Sequence, residues 1–176
     1  MTALVTGGRA AESALRESRL SWTFPRPGTF STNTLQWAHS IRGTGWRAPF
    51  PDAHASAIHE SDIADIAVPH MTELGHECKA CWLSGPESVT RREQVECISE
   101  SIGRKVVLEE TTAEEYLDAL GRRGDAEVVD TLVRHLVEAD GRPAPVLTMY
   151  QDLTSTEGRT ASGVARRATM VTACWQ

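Results

Sequence analysis

The residues of this chain that can do chemistry are few, and each has a structural reading beside the chemical one. Val5-Thr6-Gly7-Gly8 is a short apolar stretch entering a double glycine, and a strand running into a glycine turn is how a pyrophosphate-binding loop begins. The rest of the G-x-G-x-x-G pattern is absent. Arg9, Ala10, Ala11, Glu12 and Ser13 follow Gly8, and no βαβ pattern with a ribose-binding acid comes after them. Cys78-Lys79-Ala80-Cys81, with His70 and His76 near it in sequence, has the look of half a zinc site. A structural zinc needs four ligands closing a tetrahedron, however, and strand residues three apart point to opposite faces. The pattern therefore reads as thiols buried in a core strand, and no metal is expected. His59-Glu60-Ser61-Asp62 gathers polar groups where a helix should begin. His59 can serve there as a general base, while helix capping accounts for Ser61 and Asp62 without any chemistry. No G-x-S-x-G elbow or H-E-x-x-H occurs, and neither Tyr116 nor Tyr150 belongs to a Tyr-x-x-x-Lys pair.

Short apolar stretches alternate with amphipathic helical ones, a pattern that favours an α/β fold. A helix is expected over 9–18, then a strand at Leu20 to Phe24 that Pro25 and Pro27, lacking N–H groups, should end. Thr29 to Arg42 reads as a helix, and Gly45 to Pro49 and Ala55 to His59 as short strands or loops. Another helix starts near Glu60 or Ser61, with Ile63, Ile66 and Ala67 inward and Pro69 kinking it; Lys79 to Leu83 is the next strand. Thr90-Arg91-Arg92-Glu93 and Thr112-Ala113-Glu114-Glu115 are capping boxes. The first opens a helix burying Val95, Ile98 and Ile102 up to Gly103. A strand centred on Val106 to Leu108 follows, and Asp125 caps a helix that ends at Gly141. Beyond Pro145 the signal fades, leaving a weakly amphipathic helix over 161–173.

Composition bounds the rest. With 176 residues, 40% hydrophobic and 24% charged, the chain is of ordinary domain size and globular usage rather than disordered. Its 18 basic against 24 acidic side chains give a net charge of −6, which leaves no positive surplus to neutralise phosphates, so no nucleic-acid partner is expected. No apolar run nears the ~20 residues of a membrane span. The N-terminus lacks the basic and apolar regions of a signal peptide, and four cysteines do not make a disulfide scaffold here. A soluble cytoplasmic protein is the expectation.

Several strings, in order, resemble one family. Leu20-Ser21-Trp22-Thr23-Phe24-Pro25-Arg26-Pro27-Gly28 with Phe30 and Asn33, His59-Glu60-Ser61-Asp62-Ile63-Ala64, and Leu83-Ser84-Gly85-Pro86-Glu87-Ser88-Val89-Thr90 look like successive segments of NmrA-like NAD(P)H-binding proteins, an atypical short-chain dehydrogenase/reductase branch. The resemblance spans roughly residues 10 to 145 and concerns the C-terminal portion of the family. It implies a partial Rossmann-like parallel sheet with a small α+β C-terminal subdomain. Residues 1–60 would be a remnant of the dinucleotide-binding domain, 61–150 the substrate side and 151–176 a tail. On this reading three or four βα units, on the order of a hundred residues, are missing, and Val5-Thr6-Gly7-Gly8 looks like the family's opening turn set directly against a late helix. Pro25 and Pro69 depart from the family pattern. The resemblance further implies NADP or NAD as cofactor, with Gly7, Gly8, Arg26, Pro27 and Gly28 around it. Phe30, Asn33 and His59 would line the pocket of a small quinone-like or carbonyl substrate, and Asp62 would organise a helix start. A noncatalytic dinucleotide sensor, or an inactive remnant needing a partner chain, is the alternative. Self-association through an exposed sheet edge is expected as well.

Overall fold

The computed structural model describes residues 2–4, 8–43, 45–121 and 126–161. Its elements are β1 (Thr2–Leu4), α1 (Arg9–Glu17), β2 (Ser21–Pro27), a 3-10 helix (Ser31–Trp37), α2 (Ala38–Arg42), β3 (Trp46–Ala48), β4 (His54–Ala55), α3 (Glu60–Thr72), β5 (Lys79–Leu83), β6 (Val89–Thr90), α4 (Arg91–Ser101), β7 (Leu108–Glu110), α5 (Ala113–Gly121), α6 (Ala126–Ala139) and α7 (Met149–Thr154). They gather into two units. The first is Met1–Ser31, Ser56–Glu87 and Pro145–Thr160; the second is Thr32–Ala55, Ser88–Ala144 and Ala161–Gln176.

The first unit is built on a parallel sheet in the order β1-β2-β5, as the α/β reading requires. β1, α1 and β2 make a βαβ unit that the sequence pattern did not reveal. The prolines do not end β2. Their peptide groups explain why: Gly28 N–H donates to Leu83 O, and Trp22 O accepts from Cys78 N–H. Alternation along a strand therefore turns Trp22, Phe24, Arg26 and Gly28 toward β5 and the odd-numbered residues toward β1. The described pairing with β1 runs from Thr2 to Leu4, opposite Ser21 to Thr23, and Pro25 and Pro27, turned away from β5, take no donor from the β5 ladder. Pro25 still pairs in register with Cys81.

The two faces of β2 are covered differently. On one, Trp22 and Phe24 stack at 4.2 Å, with the Arg16 guanidinium of α1 just over 5 Å from both rings. On the other, Cys81 and Leu83 pack with Ile58, Ile66 and Tyr150. Pro69 lies inside α3 without ending it, and the helix closes through Glu73 N–H donating to Pro69 O. The cysteines separate: Cys81 is buried, but Cys78 is exposed, because it precedes β5 in a left-handed conformation (φ 57°) rather than inside the strand. Buried His70 places Nδ1 2.9 Å from Ile66 O and Nε2 3.6 Å from Cys81 Sγ. With Nδ1–H donating to the carbonyl, Nε2 accepts from the thiol. Burial holds the imidazole pKa low and pushes the thiol pKa up, so both stay neutral.

In the second unit β3 pairs parallel with β7, and β4 antiparallel with β6. Ile41, Trp46, Ala48, Val95, Ile98 and Val106 form its core. Both capping boxes are present: Thr90 and Glu93 each satisfy the other's backbone N–H, as do Thr112 and Glu115. Three boundaries differ from expectation. Residues from Ser31 to Trp37 wind as a 3-10 helix, the strand near 106 begins at Leu108, and α7 appears where the signal fades. The expected Asp125 cap and a helix beyond 161 lie outside the described residues.

Two outcomes follow from these contacts. Thr90→Ala, leaving the Glu93 N–H without its acceptor, should cost about 1 kcal/mol in urea unfolding. His70 has a folded pKa below its ordinary value, so its contribution to stability is complete above about pH 6.5 and is lost as pH falls below that. Urea midpoints compared at neutral and mildly acid pH should drop more for the native chain than for His70→Gln.

Candidate functional site

Parallel strands deliver their chain reversals to one end, and in the first unit those of β2 and β5 meet there. The peptide after β2 is tied to β5 by Gly28 N–H donating to Leu83 O at 3.0 Å. The segment before α3 then threads between the two turns. Ile58 N–H donates to Thr29 O and Ser31 N–H to Ile58 O, both at 2.9 Å, while Gly85 N–H donates to Ser56 O at 3.0 Å. Ser56 and Ser84 side chains fasten the returning segment: Ser56 Oγ donates to Pro145 O at 2.6 Å, and Leu147 N–H donates to Ser84 Oγ at 2.8 Å. Three loops are thus bound edge to edge at the carboxyl end of the sheet, where ligands of open α/β sheets bind.

The sequence-derived residues fall unevenly on this frame. Arg26 and Pro27 end β2, and Gly28 follows them. The Arg26 guanidinium is engaged: it donates from Nε to Glu12 Oε1 at 3.0 Å and from Nη2 to Glu12 Oε2, with the Trp82 ring at 5.3 Å. That bond holds the Glu12 carboxyl below its usual pKa. Gly8 leads α1 with φ 86°, a conformation suited to glycine, and no side chain caps the helix behind it. Gly7 lies outside the described residues. Phe30 bridges to Ile58 and is 39% exposed at the rim. His59 is only 2% exposed, and its Nδ1 accepts from Ser61 N–H at 3.0 Å, so it is the N-cap of α3. Asn33 is exposed on the 3-10 helix. Among the described residues no three His, Cys, Asp or Glu side chains come together to hold a metal ion. The clefts of about 390 and 610 Å³ in the second unit contain none of the candidates.

Sequence reasoning missed Glu12, Trp82 and Gly85. A lone glutamate in the first turn of α1 reads as dipole compensation, and only the fold brings Arg26 to it. Gly85 carried a signal, a glycine between Ser84 and Pro86 beside a strand end. A Cβ there would stand 2.1 Å from Ala57 O, whereas one at Gly28 would stand 3.6 Å from Leu83 O. Gly85→Ala must therefore push the segment at Ala57 away, and should cost about 2–3 kcal/mol. Gly28→Ala, in ordinary van der Waals contact, should stay within about 0.5 kcal/mol. Thermal or urea unfolding of the two variants side by side measures the contrast.

Comparison with known proteins agrees with this geometry. No family model matches the sequence. The (4-alkanoyl-5-oxo-2,5-dihydrofuran-3-yl)methyl phosphate reductase of Streptomyces griseus is 37% identical over 153 residues, covering 86% of this chain and 54% of that protein. The NAD(P)H azoreductase of Xenophilus azovorans is 33% identical over 117 residues, covering 66% of this chain and 41% of the azoreductase. The chain thus spans about half the length of the curated relatives it matches. A solved NADPH-dependent quinone oxidoreductase from Escherichia coli, complexed with NADPH, shares the fold at a TM-score of 0.75 and 19% identity, over 97% of this chain and 65% of the solved one. Together with the ordered strings and the parallel sheet, these comparisons show that the chain's relatives and structural neighbours are NAD(P)H-dependent reductases of the NmrA-like, atypical short-chain dehydrogenase/reductase type.

Proposed function

We propose that this chain is part of an NAD(P)H-dependent reductase, with the acceptor bound at the carboxyl end of β2 and β5. The observation that carries the reading is the β1-α1-β2 unit leading into Arg26-Pro27-Gly28 beside β5, in a sequence related to reductases over most of its length.

The residues present fit a dinucleotide in two respects. α1 starts at a glycine, with no side-chain cap among the described residues, which would leave its first-turn amides for the pyrophosphate, together with the helix dipole. The exit of β2 lies at the same end of the sheet, where the nicotinamide end of the cofactor would rest against Pro27 and Gly28. When bound, the cofactor supplies the hydride. The chain's own contribution is position and dryness. Phe30, Pro27 and Pro86 make an apolar rim, suited to a flat, quinone-like or carbonyl acceptor and to excluding water around it. The His59 Nδ1 is engaged in capping α3 and the Tyr150 phenol in bonding Asp65. Residues up to about 60 supply the cofactor side and those from 61 to 150 most of the substrate side. The protein works in the cytoplasm, where reduced nicotinamide is supplied.

NADPH titrated against the intrinsic tryptophan fluorescence of the chain should saturate with an affinity between about micromolar and millimolar. Adding a simple quinone should then discharge the near-ultraviolet absorbance of the cofactor. Binding without oxidation would favour a dinucleotide sensor, the second reading, to which the engagement of Arg26, His59 and Tyr150 in structural bonds lends support. No binding of NADPH or NADH by the chain removes both.

A further inference from the structure

The returning segment of the first unit is fixed by ionic contacts that the reductase reading does not use. α7 ends at Ser155 in a left-handed turn (φ 56°), and the chain then runs back over the start of α3. Arg159 reaches two carboxylates there. Its backbone N–H donates to Asp62 Oδ2 at 2.8 Å, and its Nη1 donates to Asp62 Oδ1 and, at 3.1 Å, to Asp65 Oδ2. Tyr150 Oη donates to the same Asp65 oxygen at 3.2 Å. The Asp62 side chain is 1% exposed, so the residue expected to organise the helix start is a buried anion with a partner 97 residues away. The paired carboxylates drive the Arg159 pKa upward.

Gly158 transmits this anchor. A Cβ at that position would stand 3.2 Å from Asp62 Oδ2, 3.3 Å from Pro86 Cδ and 3.6 Å from Tyr150 Cδ1. The backbone of Gly158 is therefore a wedge between the buried carboxylate and the turn after β5. That turn is held from the opposite side by Gly85 N–H bonding Ser56 O, with Ala57 O close behind Gly85. The turn Ser84–Glu87 thus touches two backbone segments, and Arg159 ties one of them to Asp62.

We propose that Arg159 is a positioning residue: by clamping Asp62 it seats the strap Ser155–Thr160 against Pro86 and so fixes the turn Ser84–Glu87 at the rim of the acceptor site. The proposal rests on the reading of that end of the sheet as the site; the coupling between strap and turn does not. Losing the guanidinium leaves the Asp62 carboxylate buried without its charge partner, a costly state that the chain relieves by letting the strap go.

Hydrogen exchange of the whole chain tests the coupling. In Arg159→Gln, amides of 155–160 and of 84–87 should both exchange about tenfold faster while those of β2 keep their rates. Arg159→Lys, retaining one charged bond, should recover most of the protection. Arg92→Gln, which breaks an ion pair with Asp52 in the second unit, should change neither segment. A loosened strap over an unchanged turn would overturn the proposal. If Arg159→Gln does not fold, Gly158→Ala reads the same contact, because its added methyl must displace Pro86 or Asp62; unchanged exchange at 84–87 would again overturn it. In turnover, Arg159→Gln should raise KM for the quinone about fivefold with kcat retained. A fall in kcat at constant KM contradicts a role confined to the rim. A native chain that shows coupled exchange but no NADPH binding sinks the reductase reading and leaves the strap–turn coupling standing; NADPH binding with uncoupled exchange does the reverse.

Discussion

Successive residues of β2 turn their peptide groups to opposite neighbours, and the carboxyl end of the first unit depends on that alternation. The even-numbered residues bond β5, and that ladder continues past the strand as Gly28 N–H to Leu83 O. A shift of one residue would place Pro25 and Pro27 on this ladder, remove two donors from it, and detach the turn that should carry the ligand. In the register observed, the prolines turn away from β5 and cost its ladder no donor. The same alternation sorts the side chains: Trp22, Phe24 and Arg26 meet Arg16, Glu12 and Trp82 on one face, while Thr23 and Pro25 are buried within the sheet.

What the sequence made legible was chemistry that is local. The Thr90/Glu93 and Thr112/Glu115 boxes lie within four residues each, and both form as read. Strand β5 and the start of α3 are likewise where an apolar run and a cluster of capping residues put them. The ordered strings identified the family because they mark the turns after β2 and β5, which the fold brings together. Failures came where the deciding partner was remote. Pro25 and Pro27 looked like strand breakers because nothing in the sequence says which of their neighbours carries the ladder that β5 forms with the even-numbered residues. His59 looked available as a base, yet it is buried and its Nδ1 accepts a hydrogen bond at the head of α3. Asp62 looked like a cap, and its true partner is Arg159, in a stretch where periodicity had faded.

The two units bury charge in opposite ways. In the second, Arg91 is 6% exposed and has no carboxylate beside it among the described residues. Its guanidinium lies 4.6 Å from the Trp46 ring, 5.7 Å from Trp37 and 5.8 Å from Tyr116, and donates to Pro49 O at 2.9 Å. Ring faces stabilise a cation without themselves having to be stripped of much hydration, so the cage avoids desolvating an anion as well. Burial still presses the Arg91 pKa below its usual value, a measure of what the rings do not offset. In the first unit the buried charges include the carboxylates Glu12 and Asp62, and the partner of Asp62, Arg159, keeps 44% of its side chain in water. Only one ion of that pair bears the full desolvation cost. The cage stiffens a core, whereas the half-exposed clamp ties a helix to a segment that has no secondary structure of its own.

This division bears on what the carboxyl end of the sheet can do. Backbone amides and carbonyls there are joined loop to loop, Ser56 and Ser84 fasten the returning segment, and Arg26 and Asp62 are each held by an opposite charge. Side chains so engaged give shape but have little freedom to exchange protons. Beside them Phe30 is exposed and Pro27 and Pro86 are half-buried. In the proposed reductase, a site of that character would orient a flat acceptor and keep it dry while a bound cofactor carried the electrons. Its selectivity would then reside in the positions of the two turns, where Gly85 lies against Ala57 and Gly158 of the strap lies against Pro86.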